Sequence, residues 1–148
     1  MRLYPPVIAG LYLLITWFLE YLFPFLNIHL IFAPYHLIGL LFLAIGLWLI
    51  LWSSQLLLKK KTTHNPYGTP IKLITTGPFK ITRNPMYLGM SLIIFGITIL
   101  SQNLFFFLPT IAFPLTINKF FILREEKKLI SIFKQQYLTY QQHTQRWL

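Results

Sequence analysis

Cysteine is absent from this 148-residue chain, which excludes disulfides, thiolate nucleophiles and cysteine-held zinc or iron–sulfur centres. Acid is nearly absent too: three Asp or Glu residues stand against thirteen Lys or Arg, a net charge of +10. Charge of either sign is scarce, 11% of residues where a soluble domain carries about a quarter. The shortfall lies in long uncharged runs, so lipid rather than an oversized core is the expected solvent. His29, His36, His64 and His143 are scattered without metal-ligand spacing, and no metal site is expected. No G-x-G-x-x-G turn follows a strand, which removes the Rossmann solution for a nucleotide-like cofactor. The chain has room for a single domain.

What is present is four apolar segments. The first, 7–23, is opened by Pro5-Pro6 and closed by Pro24; it is long for a signal-peptide core and lacks a cleavage site, so a retained anchor is expected. The second, 35–58, is long enough to span with tilt. The third, 85–100, is short, and Ser101-Gln102-Asn103 turns it tightly into the fourth, 104–123, which contains Pro109 and Pro114 and should kink. The runs are continuous and Leu-rich, not alternating as a barrel requires. The expected fold is therefore all-α: a polytopic membrane bundle of four transmembrane helices plus an amphipathic tail helix over 124–142.

The cations set its orientation. Arg2 precedes the first span, six Lys or Arg lie between Lys59 and Arg83, and six follow from Lys119; the connections 24–34 and 101–103 have none. Four crossings put every cation on one face, which the positive-inside rule makes cytoplasmic, with both ends and the loop 59–84 inside. Topology and anionic lipid account for the basic character, so nucleic acid is not an expected partner.

Chemistry has two places to sit. The loop 59–84 leads into the third span through Arg83-Asn84-Pro85-Met86-Tyr87-Leu88-Gly89. Pro85 suits a first helical turn whose free N–H groups attract anions, and Gly89 permits close approach; a plain membrane-entry turn explains the same spacing. The loop also holds a β-prone piece, 71–75. In the tail, Leu129, Ile130, Phe133, Tyr137 and Tyr140 recur at helical spacing opposite Lys127, Lys128 and Lys134. Glu125 and Glu126 stand at its start, either as dipole partners or a mate for Arg124, or as an anchor for a cationic ligand. Glu20 lies near the outer edge of its span and within reach of water; Gly39 and Gly46 read as helix contacts.

The run from Thr75 to Gly89, with Thr76-Gly77-Pro78-Phe79 followed by Arg83-Asn84-Pro85-Met86-Tyr87-Leu88-Gly89, resembles the signature of the isoprenylcysteine carboxyl methyltransferase and phospholipid N-methyltransferase superfamily. Glu125-Glu126, the spaced aromatics and Arg146-Trp147 extend the resemblance over 62–147. It implies an S-adenosylmethionine-dependent membrane methyltransferase in the bacterial inner membrane. By position, the cofactor contacts it implies are Ile71, Lys72, Leu73, Ile74, Phe79, Asn84, Pro85, Met86, Tyr87, Glu125 and Glu126, with His64 less firmly placed. Arg83 is implied to orient the site. Asn84 follows the bacterial branch rather than the eukaryotic His. Lys134 replaces a usual Gly, and Phe121 stands where the family has a substrate-contacting Arg, leaving Arg124 or Lys119 to substitute.

Methyl transfer from a sulfonium asks mainly for positioning and exclusion of water, which suits so few ionisable groups. A carboxylate acceptor needs only a cation, Arg83 or Arg124, whereas an amine must first lose a proton. The expectation is carboxyl methylation of an isoprenylcysteine-like lipid entering from the bilayer, with phosphatidylethanolamine-type N-methylation as the alternative and a non-catalytic scaffold the reading from another class.

Overall fold

The computed structural model describes residues 4–24, 34–62 and 67–148, and every regular element among them is helical. His29 and His64 lie outside the described residues. Helix α1, Pro5–Leu22, begins on the two prolines, whose missing N–H groups cost nothing in a first turn. Helix α2, Tyr35–Lys59, has 25 residues, about 37 Å at the usual rise. Both are long and apolar enough to cross a membrane. Helix α3, Pro85–Ser101, is a shorter apolar helix, closed by Gln102 in the left-handed region. No strand forms at 71–75; the Ile71 N–H instead donates to Thr62 Oγ1 at 3.3 Å. Extended backbone without a neighbouring strand cannot build a ladder.

The fourth apolar segment starts as a 3-10 turn, Leu104–Phe106, and continues as α4, Phe107–Ile117. A π-helical turn, Asn118–Ile122, then carries it without a break into α5, Leu123–Phe133. The single tail helix expected over 124–142 is two: α5 stops at Lys134, and α6 spans Gln135–His143. Lys134 has φ 46° and ψ −122°, a backbone state helices cannot accommodate.

Two seams organise the bundle. Along the first, α2 and α3 run antiparallel with glycine facing glycine. A Cβ on Gly46 would stand 2.6 Å from the Gly89 carbonyl oxygen, and one on Gly96 would stand 2.7 Å from that of Gly39. The glycines are seven apart on each helix, the spacing that keeps one stripe on a partner. Along the second, α1 packs on α4 and α3, and Tyr12 and Thr116 share a 2.8 Å hydrogen bond between hydroxyls. Tyr87, Ile94, Phe113, Ile117, Phe121 and Ile122 form the core between α3 and α4. Outward, Leu14, Trp17, Leu41 and Trp48 are each more than half exposed, an apolar surface no aqueous solvent favours. The start of α1, the end of α2, the start of α3 and the start of α5 meet at one end of the bundle, around a cavity.

Candidate active site

The cavity has a volume of about 600 Å³, within the range of small-molecule sites. Lys72, Leu73 and Ile74 of the loop line it, as does Phe79 from the 3-10 turn Gly77–Lys80. So do Arg83, Asn84, Pro85, Met86 and Tyr87 from the entry to α3, and Glu125 and Glu126 from α5. Two sequence candidates are elsewhere. Ile71 is 74% exposed, and Arg124 is exposed and off the cavity wall. The wall also includes residues not among the expected site residues: Tyr4, Pro5 and Val7 at the start of α1, Leu57 at the end of α2, and Lys128, Tyr137 and Tyr140 from the tail, the last three visible in the sequence only as part of its amphipathic pattern.

The two conspicuous motifs, far apart in sequence, are bolted together here. Arg83 Nη2 donates to Glu126 Oε1 at 2.8 Å, while its Nη1 donates to the carbonyls of Thr144 at 2.9 Å and Gln141 at 3.2 Å. Arg146 grips the same carboxylate from the other side, Nε to Oε1 at 3.0 Å and Nη2 to Oε2 at 2.6 Å. Asn84 Nδ2 and the Thr82 hydroxyl both donate to the Arg146 carbonyl, at 2.9 and 3.0 Å. Burial works against charge on Glu126, but the hydrogen bonds from Arg146 and Arg83 outweigh it and hold the carboxyl below the ordinary carboxylate range. Arg146 was visible in the sequence only as a motif residue; nothing local marks it as the second partner of a glutamate twenty positions earlier.

Glu125 has the opposite environment. Burial pushes its carboxyl up to about 7, against a lowering from its bond with Tyr87 and from nearby Lys128. Its hydrogen-bond partner among the described residues is the Tyr87 hydroxyl, which donates to Oε1 at 2.6 Å. Lys128 does not pair with it; that ammonium donates to the carbonyls of Gly68 at 2.7 Å and Tyr67 at 3.4 Å. Burial likewise raises Tyr137, to about 12, with Glu126 adding to the effect. Tyr140 is raised by burial and donates its hydroxyl to the Phe79 carbonyl, tying α6 to the loop. One buried donor of a lining residue, Arg83 Nε, has no hydrogen-bond partner among the described residues. No group of metal-ligating side chains occurs among the described residues.

A π turn precedes the glutamate pair. It follows Pro114, which lacks the N–H that α4 would use to bond Thr110. The wider turn changes the angular phase of everything after it; beyond it, consecutive helical residues diverge by about 100°, with Glu126 meeting Arg83 and Glu125 meeting Tyr87.

Among known proteins, the chain is 43% identical over 63 residues to an uncharacterized protein of Haemophilus influenzae, an alignment covering 43% of this chain and all of that relative. No solved structure matches it. The sequence model of the phospholipid methyltransferase family matches residues 34–136, from the residue before α2 to the beginning of α6. That match takes in the loop, the Arg83 motif and the glutamate pair, so the chain belongs to the phospholipid methyltransferase family, membrane methyltransferases that act on lipids.

Proposed function

We propose that the protein transfers a methyl group from S-adenosylmethionine to a lipidic acceptor at the cytoplasmic face of a bacterial inner membrane that it crosses four times, both ends inside. The observation that carries this reading is the shared cavity: the entry to α3 and the glutamate pair of α5 are joined by the 2.8 Å contact of Arg83 with Glu126 and line one space of about 600 Å³. The alternating helix directions, which gather the α1 start, α2 end and α3 start at this end, support the four crossings.

The wall suits a donor that is both cationic and hydrogen-bonding. Among the described residues, Glu125 offers a carboxylate without a paired cation, and Arg83 Nε a buried donor without an acceptor. Tyr87, Phe79, Tyr137 and Tyr140 add aromatic surface, which favours a sulfonium as it does an ammonium. S-adenosylmethionine supplies an activated methyl group. The protein's part is to fix the acceptor in line and exclude water, and the apolar wall of Leu57, Leu73, Met86 and Met90 serves both ends.

Two acceptors fit this frame. A carboxylate of the isoprenylcysteine kind is favoured by Lys72 and Lys128 on the wall; Arg124 lies off it, and Arg83 is occupied by Glu126. An amine of the phosphatidylethanolamine kind is favoured by Glu125. Thermal unfolding of the purified protein with S-adenosylmethionine or its demethylated product tests the donor. Saturating ligand should raise the wild-type midpoint by several degrees, and an unchanged midpoint sinks the reading. Methyl transfer to a prenylcysteine analogue and to phosphatidylethanolamine then separates the acceptors.

A further inference from the structure

The tail after α6 shapes the entry to α3. The Arg83 backbone N–H donates to the Gln145 carbonyl at 2.9 Å and its Nη1 to those of Thr144 and Gln141, while Thr82 and Asn84 donate to that of Arg146. These acceptors lie beyond the family match at 34–136, so the matched motif is held from outside the match. Arg146 adds its side chain. It takes Glu126 edge-on, Nε to Oε1 at 3.0 Å and Nη2 to Oε2 at 2.6 Å, the two-point contact that guanidinium and carboxylate favour. Arg83 has the same edge but uses only Nη2, on Oε1 at 2.8 Å. Its Nε is buried and, among the described residues, has no partner. Two guanidinium groups thus share one carboxylate unequally, and the more exposed of them holds the better geometry: the Arg146 side chain is 34% exposed, that of Arg83 10%. An unsatisfied buried donor is unfavourable, and the carboxylate oxygen that could satisfy it is already held by Arg146.

We infer that Arg146 is a positioning residue: by holding both oxygens of Glu126 it keeps that carboxylate from closing side-on onto Arg83, and so fixes the Arg83 side chain where it lines the cavity. This role rests on the proposed function for what the wall binds; Arg146 itself is outside the lining and acts through Glu126 and Arg83. Its own orientation is set from the π turn, where Nη1 reaches Asn118 Oδ1 at 3.4 Å. Without Arg146, Glu126 Oε2 loses the donor it has among the described residues. Rotation of the carboxylate then brings that oxygen to the orphan Nε on the guanidinium that already holds Oε1. The Arg83–Glu126 contact becomes two-point, Nη1 is drawn from the Gln141 and Thr144 carbonyls, and the cavity wall turns with it. Lysine at 146 would keep the charge but not the arrangement, since an ammonium lacks the planar fork that engages both oxygens.

The test uses the full chain in detergent micelles with its arginines labelled with nitrogen-15. Arg2, Arg83, Arg124 and Arg146 are the only arginines, so each Nε–H resonance is assigned by replacing one arginine with lysine. In ligand-free wild type the Arg146 Nε–H should lie downfield and exchange slowly, as a carboxylate-bound group does, and the Arg83 Nε–H should not lie downfield with it. In Arg146→Ala the Arg83 Nε–H should move into that downfield range. Affinity for the demethylated product of S-adenosylmethionine should fall on the order of tenfold, the scale of one misplaced hydrogen bond to a charged group. Millimolar ethylguanidinium, which refills the vacated place from the exposed side, should reverse both changes. An Arg83 Nε–H that stays in place in Arg146→Ala overturns the inference. So does a weakened affinity that ethylguanidinium leaves unrestored and that follows the loss of thermal stability, because Arg146 is then a structural tie only. Where Arg146→Ala does not fold, the wild-type spectrum decides: an Arg83 Nε–H already carboxylate-bound overturns the inference, and an unbound one supports it. Wild type that binds neither donor nor product overturns the proposed function, while the ligand-free spectra still decide the arrangement of the two arginines.

Discussion

Adjacent glutamates with opposite electrostatics are the centre of this site. Glu126, held by two guanidinium groups, favours the folded state when charged; Glu125, half-buried against a phenol, favours it when neutral. Glu126→Gln should therefore cost about 3 kcal/mol, toward the lower end of what a broken buried pair costs since Arg146 is partly exposed, and should be read by chemical or thermal unfolding. The pH dependences have opposite signs. The Glu126 carboxyl is depressed, so its contribution is present above the ordinary 4.5 and is lost as pH falls through the folded-state value. The Glu125 carboxyl is raised from 4.5 to about 7, so stability is lost as pH rises across that interval. Ligand-free Glu125→Gln should escape this second loss and unfold at a higher temperature than wild type at pH 8, with little difference at pH 4.5. The sequence offered Arg83 and the glutamate pair as candidates but could not say which glutamate Arg83 takes. That choice depends on the phase of α5 in the packed bundle, and nothing local marks the distant Arg146 as the second partner.

At the scale of elements, periodicity and proline placement were enough to find the helices. Pro5, Pro34 and Pro85 each stand at or next to a helix start, and the observed bounds of α1, α2 and α3 lie within a few residues of the apolar runs. The tail was less legible, because Lys134 carries no turn chemistry of its own and adopts positive φ only under tertiary demand. Glycine is free of the Cβ clash there, so Lys134→Gly should stabilise the protein by about 1 kcal/mol in thermal unfolding, with α5 and α6 unchanged. The α2–α3 seam predicts the reverse. Leucine at Gly46 would begin with a Cβ 2.6 Å from the Gly89 carbonyl oxygen, a backbone atom that cannot rotate away. Gly46→Leu should cost on the order of 3 kcal/mol or prevent folding, whereas Gly10→Leu, with nothing within 4 Å of the added carbon, should be tolerated.

For the whole molecule, the proposed orientation rests on the distribution of cations, and the absence of cysteine makes it directly measurable. Single cysteines at Lys60 and Gln142 should be shielded from a membrane-impermeant maleimide in intact cells and labelled once the membrane is opened. One at Ser101, in the turn after α3, should be labelled from outside. Labelling of Ser101→Cys only after lysis would contradict four crossings. Charge placement is the ground for that proposed topology. It could not supply the closure of the cavity by Tyr4, Pro5 and Val7, since a proline-led helix start looks the same whether it borders a site or lipid.

The paired glycines also restrict how such an enzyme can breathe. With backbone set against backbone at two heights, α2 and α3 cannot slide past one another by a fraction of a turn without a carbonyl meeting a Cα. Their relative level is latched, and with it the height of Arg83 and Tyr87 above the end of α2. A headgroup of the proposed acceptor would therefore have to enter past some border other than this seam, with the latched pair as the fixed jamb beside it.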